Sequence, residues 1–207
     1  MLYEAQFRNP AGAGKLIQAI RDMDLPELRI MEICGTHTMS IAKAGLRQIL
    51  PPHIHLISGP GCPVCVTPSG VMDEVLRISQ LPNVTITTYG DLLRVPGSVP
   101  GDNLQRRSAQ GADVRMVYSP MDSLDMAEQE PDREFIFLGV GFETTAPGTA
   151  IAVQEAKARG RKNFSLLSLL KRTEPAMRAI IESDDFNVSG FLCPGHVATI
   201  LGEEGFR

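Results

Sequence analysis

The sequence lacks a cluster of basic residues, an apolar run long enough to cross a bilayer, and an apolar leader at its beginning. Its 207 residues carry a formal net charge of -4 with the basic residues scattered, which is not the electrostatic footprint of a nucleic-acid or anionic-membrane protein. The opening MLYEAQFRNP has no apolar segment behind a basic start, as a secretory signal would. We therefore expect a cytoplasmic protein that binds neither nucleic acid nor membrane.

Cysteine is scarce as well, with four residues in the chain. In a reducing compartment such cysteines are metal ligands or redox thiols more often than parts of a structural disulfide framework. Hydrophobic residues make up 43% and charged residues 21% of the chain, values typical of a folded globular protein and not of a disordered one.

Short apolar runs alternate with amphipathic stretches, which predicts an α/β fold of two small lobes with mainly parallel sheets flanked by helices. The predicted strands are 28–33, 53–58, 84–89, 114–119, 134–140, 164–170 and 188–193, and the clearest helices are 69–81 and 147–160. A polar stretch with two prolines, 119–133, indicates a boundary. We predict an amino-terminal helical segment (1–24), a first α/β domain (25–119) and a second, incomplete one (120–207).

The unusual residues follow the predicted strands, where loops lead into helices and where open α/β sheets bind their ligands. These motif loops are CGTHT (34–38), GPGCPVC (59–65), YGDLLRVPG (89–97), GFETTAP (141–147) and CPGH (193–196).

Two other patterns resemble phosphate-binding loops only superficially. GAGK (12–15) has Asn9 where the P-loop needs a glycine and Leu16 where it needs Ser or Thr. GVGFET (139–144) has Thr144 in place of the third glycine of a dinucleotide fingerprint. The second pattern favours a tight strand-to-helix turn with Thr144 or Thr145 as cap, and Glu143 in this turn is a candidate acid.

Cys62 and Cys65 form a C-x-x-C in a loop stiffened by two prolines. This spacing allows both sulfurs to bind one metal or to close a reducible disulfide. The helix predicted from residue 69 onward would lower the pKa of a thiol at its amino terminus, so a reactive thiolate is a further possibility.

Cys34 and His37 form a C-x-x-H, with the Thr36 hydroxyl beside them. Together with the C-x-x-C they match the ligand inventory of a tetrahedral zinc site. Against zinc, the chain has enough apolar strand to fold without metal. Cys193 and His196 repeat the C-x-x-H spacing, and there His196, at a predicted helix start, is the better candidate for a site.

Five motifs in this order, CGTHT, GPGCPVC, TYGDLLRVPGS, GFETTAP and PGHV, resemble the HypD family of hydrogenase maturation factors. The resemblance extends over essentially the whole chain. It implies a scaffold on which the Fe(CN)2CO group of [NiFe]-hydrogenases is assembled, in complex with the small chaperone HypC and with cyanide delivered by HypE together with HypF. Such a protein is a cofactor-assembly scaffold with a redox-active dithiol and not a conventional turnover enzyme.

The resemblance also implies roles for single residues. Cys34 would hold the iron together with a cysteine of the partner, and His37 beside it would donate a hydrogen bond or relay a proton. Cys62 and Cys65 would be the redox-active pair. We add the hypothesis that Glu143, Thr144 and Thr145 line the opposite wall of the cleft and orient the diatomic ligands, while the resemblance gives no role to Cys193.

Members of the family continue into a third region whose cysteines bind a [4Fe-4S] cluster, and this chain, which stops at GEEGFR, has no such cysteines. We therefore expect a carboxyl-terminally truncated member without the Fe-S region. Two other functions are compatible with the residues: a stand-alone thiol-disulfide oxidoreductase that uses Cys62 and Cys65, and a zinc-stabilised α/β domain.

Overall fold

Two sheets of parallel strands form the framework of this computed structural model, which describes residues 9–206. Sheet 1 has the order β2-β1-β7 and contains β1 (Leu28–Glu32), β2 (Ile54–Ser58) and β7 (Gly190–Leu192). Sheet 2 has the order β4-β3-β5-β6 and contains β3 (Val84–Thr88), β4 (Asp113–Met116), β5 (Glu134–Gly141) and β6 (Phe164–Leu170). All the neighbouring strands pair in parallel, which confirms the predicted α/β class with parallel sheets.

Helices connect the strands, as parallel pairing requires. In chain order they are α1 (Pro10–Asp22), α2 (Gly35–Lys43), α3 (Leu46–Ile49), α4 (Ser69–Ile78), α5 (Leu104–Ala109), α6 (Pro120–Gln129), α7 (Ala146–Ala158), α8 (Thr173–Ile181) and α9 (Gly195–Leu201), with 3-10 turns at Leu92–Arg94 and Glu203–Phe206. None of the helices within residues 9–206 is long and apolar enough to cross a membrane.

Local sequence signals account for several helix ends. The Asn9 side chain accepts a hydrogen bond from the Gly12 amide and caps α1, so GAGK lies inside a helix and is no phosphate-binding loop. In α7, Pro147 lies in the first turn and Gly160 follows the last turn with φ +63, as Pro and Gly do at the two ends of helices. Most of the segment predicted as helical at the amino terminus is α1, while residues 1–8 lie outside the described part.

The chain divides into two compact units, and the division differs from the predicted domains. Unit 1 comprises the described residues 9–61 together with 179–195, and unit 2 comprises 62–178 together with 196–206. The predicted boundary at residues 119 and 120 therefore falls inside unit 2. The physical reason is the pairing of the strands: β4 hydrogen-bonds with β3, and β3 with β5, so that these strands share sheet 2, whereas β7 pairs with β1 in sheet 1.

The hydrophobic core of unit 2 surrounds β3. All five residues of β3 are buried, as expected for a parallel strand covered on both faces. Met72, Val75 and Leu76 of α4 pack with Ile86 of β3 and Leu138 of β5 in one hydrophobic cluster. The GPGCPVC loop joins this core through Val64, which packs against the cluster.

Candidate functional site

Cys34 lies at the carboxyl end of β1, the central strand of sheet 1, and is the residue immediately before α2. Its backbone is extended, with φ -164 and ψ 122, and its carbonyl accepts a hydrogen bond from the Thr38 amide at 3.2 Å. Cys34 is only 5% exposed, and its sulfur accepts no capping hydrogen bond from the described residues of α2. The strand and the helix therefore fix the thiol at the sheet edge where α/β proteins bind ligands.

The glycines of GPGCPVC hold this loop against the Cys34 backbone. Gly61 O accepts a hydrogen bond from Gly35 N at 3.0 Å, and Gly59 N donates to Glu32 O at 2.9 Å. A Cβ on Gly61 would overlap the nitrogen and Cα of Cys34 and would lie 2.6 Å from the Ile33 carbonyl carbon. Only glycine allows two backbones to approach so closely.

His37 and Thr36 lie in the first turn of α2. Nδ1 of His37 is buried and has no hydrogen-bond partner among residues 9–206, whereas Thr36 is exposed. A buried ring nitrogen without a partner costs free energy in the folded state. Nδ1 is therefore available for a hydrogen bond with a bound group.

Glu32, at the end of β1, is a buried carboxylate that the sequence analysis missed. It is 1% exposed, and its Oε1 accepts hydrogen bonds from Arg47 Nη2 and Ser58 Oγ, both at 2.8 Å. Its Oε2 is buried and has no partner within residues 9–206. The available signal is a glutamate between apolar residues of the predicted strand LRIMEI, since glutamates are rarely fully buried unless they are paired.

Cys193 of the CPGH motif lies at the same sheet edge as Cys34. The predicted second domain (120–207) includes Cys193, and for this residue the prediction is wrong. Cys193 directly follows β7, which pairs with β1 so that Leu192 O accepts a hydrogen bond from Ile33 N at 3.1 Å. Burial raises the pKa of the Cys193 thiol, which lowers its thiolate fraction at neutral pH. His196 is exposed in the first turn of α9 and belongs to unit 2.

Cys62 and Cys65 form a disulfide with their Cα atoms 5.3 Å apart. They lie in a turn of their own and not at the start of α4, which begins at Ser69 after Pro68. The activation of these thiols by α4 therefore stays a prediction. Within the turn, the Cys65 amide donates a hydrogen bond to Cys62 Sγ at 3.2 Å.

A preformed multidentate metal site is not present in the described part of the chain. Within residues 9–206 there is no group of three or more His, Cys, Asp or Glu side chains that could hold a metal ion. The alternative zinc set, Cys34, His37, Cys62 and Cys65, is not found as such a group among these residues.

Glu143 caps a helix. Its Oε1 accepts a hydrogen bond from Thr173 N at 2.5 Å, and its Oε2 accepts one from Thr173 Oγ1 at 2.9 Å. Because Thr173 is the first residue of α8, the carboxylate satisfies a free amide at a helix amino terminus, where negative charge is favoured. Both oxygens of this candidate acid therefore have structural partners.

Thr144 and Thr145 complete the turn after β5. Thr145 is the residue before α7, as predicted, but it makes no side-chain capping hydrogen bond to the described residues of this helix. Its hydroxyl and Cβ instead lie against Gly141, where an added Cβ would overlap them. Thr144 is exposed, so of the two threonines it is the one open to solvent.

The YGDLLRVPG motif connects β3 to α5. Tyr89 packs edge-on against Phe137 with the ring centroids 5.5 Å apart, and burial, with a further contribution from Asp91 and Asp122, raises the pKa of its hydroxyl. Asp73 of α4 accepts hydrogen bonds from Ser98 N and Ser98 Oγ at 2.7 and 2.6 Å. These contacts anchor the loop and give it a structural role.

A comparison of the sequence with models of known protein families gives the same family as the motif loops. The family model described as HypD, Hydrogenase formation hypA family, matches residues 12–207. The chain belongs to the HypD family. Three curated relatives of this HypD-family chain carry the name hydrogenase maturation factor HypD: that of Escherichia coli K12 is 44% identical over 215 residues, and those of Rhizobium leguminosarum and Rhodobacter capsulatus are 42% and 43% identical.

This HypD-family chain spans a little over half the length of those relatives. The aligned region covers 98–100% of the chain but only 57%, 56% and 55% of the three proteins respectively.

Proposed function

We propose that the chain acts in [NiFe]-hydrogenase maturation as a scaffold on which the Fe(CN)2CO group is assembled. The iron with its cyanide and carbonyl ligands is the cargo, HypC is the partner chaperone, and HypE together with HypF delivers the cyanide. Family membership supports this proposal, and so do the names of the relatives. The single observation that carries it is the buried, conformationally fixed thiol of Cys34 at the ligand-binding edge of sheet 1.

In this proposal Cys34 binds the iron. Thiolates are soft ligands that suit low-spin iron. A cargo that must later be handed on to the hydrogenase needs few permanent ligands, so a single fixed thiolate supplemented by a cysteine of the partner fits better than a closed cage. The lack of a three-residue metal-binding group within residues 9–206 is compatible with this arrangement.

His37 completes the proposed site in the first turn of α2. Its unpartnered Nδ1 can accept a hydrogen bond or, when protonated, donate one. A hydrogen bond to the bound group would remove the cost of leaving this nitrogen unsatisfied. We propose that His37 orients the cargo or relays a proton, and that Thr36, which is exposed beside it, contributes a hydroxyl.

Cys62 and Cys65 form the redox-active pair of the proposal. Reduction of their disulfide takes up two electrons and two protons and gives two thiols, and oxidation returns the electrons. The turn that contains them directly follows Gly61, whose carbonyl is hydrogen-bonded to Gly35 beside Cys34. The chain itself therefore links the dithiol to the proposed iron ligand.

Four residues of unit 2 have supporting roles in the proposal: Glu143, Thr144, Thr145 and His196. Thr144 and His196 are exposed, so each can contribute a hydrogen bond to a bound group or partner. Glu143 and Thr145 are engaged with Thr173 and Gly141, and we propose that they act by fixing the turn that presents Thr144.

A second candidate function is a stand-alone thiol-disulfide oxidoreductase, and the exposed Cys65 of the disulfide favours it. The two functions differ in their need for Cys34. An oxidoreductase would retain its activity without this thiol, whereas the scaffold would lose its cargo.

Replacement of Cys34 by Ser is expected to reduce the iron that the chain retains to background, at least about tenfold below wild type, because oxygen is a poorer ligand than thiolate for soft iron. The measurement is the iron content of the complex with HypC, purified without oxygen. The matched control is Cys193→Ser, which changes the thiol on the neighbouring strand and should retain iron. Equal iron in Cys34→Ser and wild type would contradict the proposal.

A further inference from the structure

The two cysteine residues of the Cys62–Cys65 disulfide lie in different environments. Cys65 is exposed, whereas Cys62 is half-buried. The only hydrogen bond to either sulfur within residues 9–206 runs from the Cys65 amide to Cys62 Sγ at 3.2 Å. The disulfide is thus asymmetric: Cys65 is the more accessible cysteine, and Cys62 is the one whose sulfur accepts a hydrogen bond.

Contacts other than the disulfide hold the turn in shape. Val66 N donates to Cys62 O at 3.2 Å and Thr67 N donates to Val64 O at 3.1 Å. The hydroxyl of Thr67, which is 8% exposed, donates to Pro63 O at 2.9 Å, and the Val64 side chain packs against the core of unit 2. The amide that faces Cys62 Sγ therefore keeps its position when the disulfide opens.

Exchange between a thiol and a disulfide depends on access to the attacked sulfur and on the stability of the departing thiolate. Exposure favours attack at Cys65. Hydrogen bonds to an ionised acceptor are stronger than those to a neutral one, so the Cys65 amide favours negative charge on Cys62. Both effects select the same direction of opening.

We propose that Cys65 is the sulfur that forms the mixed disulfide with a thiol partner, and that Cys62 is the departing thiolate. This inference rests on the redox role proposed above for the pair. An external thiolate attacks Cys65 Sγ, the bond between Cys62 and Cys65 breaks as the new S–S bond forms, and the electron pair remains on Cys62 Sγ. A second external thiolate then attacks the partner sulfur of the mixed disulfide, which leaves Cys65 as a thiolate and oxidises two external thiols to their disulfide. The protons released by those thiols reach Cys62 and Cys65 through solvent.

The test determines which sulfur of the oxidised wild-type chain accepts glutathione. The chain is treated briefly with glutathione, quenched with acid and excess N-ethylmaleimide, and mapped by tandem mass spectrometry between Pro63 and Cys65. We expect glutathione on Cys65 and N-ethylmaleimide on Cys62 in at least about a tenfold excess over the reverse adduct, because access and leaving-group stability act together. Equal amounts of the two adducts, or a majority of glutathione on Cys62, would overturn the assignment.

A pair of Thr67 variants tests the positioned amide. Thr67→Val removes the hydrogen bond to Pro63 O and should lower the ratio of the two adducts, whereas Thr67→Ser keeps the hydroxyl and should preserve it. An unchanged ratio in Thr67→Val would overturn the role given to the turn. The measurement needs neither iron nor HypC, so its failure can be told apart from failure of the scaffold proposal.

Discussion

A Gly61→Ala chain is expected to be less stable than wild type by about 3 kcal/mol, at the upper end of the cost of over-packing. The added Cβ would overlap the backbone nitrogen and Cα of Cys34. Backbone atoms cannot change rotamer to avoid such an overlap, and the hydrogen bond from Gly35 N to Gly61 O keeps the two segments together. Relief therefore requires a shift of the loop, which would also displace Cys34 and the turn that follows Gly61.

Gly70→Ala is the matched control for this substitution. Gly70 lies in α4, and nothing within 4 Å would meet its added Cβ. Alanine there should stabilise the chain by about 0.4–1 kcal/mol, because it restricts the unfolded state and favours helix. The measurement is the urea midpoint followed by far-UV circular dichroism, and a Gly61→Ala midpoint equal to that of wild type would contradict the close approach at Cys34.

Replacement of Arg47 by Met is expected to destabilise the chain by about 2–3 kcal/mol, because it removes one of the two hydrogen bonds to a buried carboxylate. Glu32 is 1% exposed, and after the change Ser58 would be its only side-chain donor among residues 9–206. The effect should appear as a lower urea midpoint. Arg77→Met is the control, since Arg77 and Glu74 form an exposed ion pair whose loss should cost less than about 1 kcal/mol.

The double variant Arg47→Met with Glu32→Gln tests the cause of that loss. An amide has no charge to leave uncompensated, so the double variant should recover part of the lost stability. A double variant that is less stable than Arg47→Met alone would show that the carboxylate is not the source of the penalty.

The sequence predicts the strands well because each is a short apolar run bounded by turn residues. Every predicted strand has an observed counterpart, from Leu28–Glu32 to Gly190–Leu192. It does not predict which strands pair, because periodicity describes a strand's faces and not its neighbours. The sequence therefore predicts the last strand in the second domain, whereas its hydrogen bonds join it to β1.

The site residues were predictable from the sequence where cysteine and histidine occur at spacings typical of metal or redox sites. The C-x-x-C and C-x-x-H spacings singled out Cys34, His37, Cys62 and Cys65 without any structure. The partners of Glu32 and Glu143 were not predictable, because Arg47 and Thr173 are ordinary residues that only the tertiary fold brings to these carboxylates. The amide that faces Cys62 Sγ is a property of backbone geometry, which the spacing alone does not encode.

The central claim is that Cys34 holds the iron cargo, and infrared spectroscopy tests it most directly. The chain is co-expressed with HypC, HypE and HypF and purified without oxygen, alongside the full-length Escherichia coli relative as a positive control. The account predicts cyanide and carbonyl stretching bands in the wild-type chain and in Cys193→Ser, and their absence in folded Cys34→Ala. Bands of undiminished intensity in Cys34→Ala, or no bands in the folded wild-type chain while the control shows them, would contradict it.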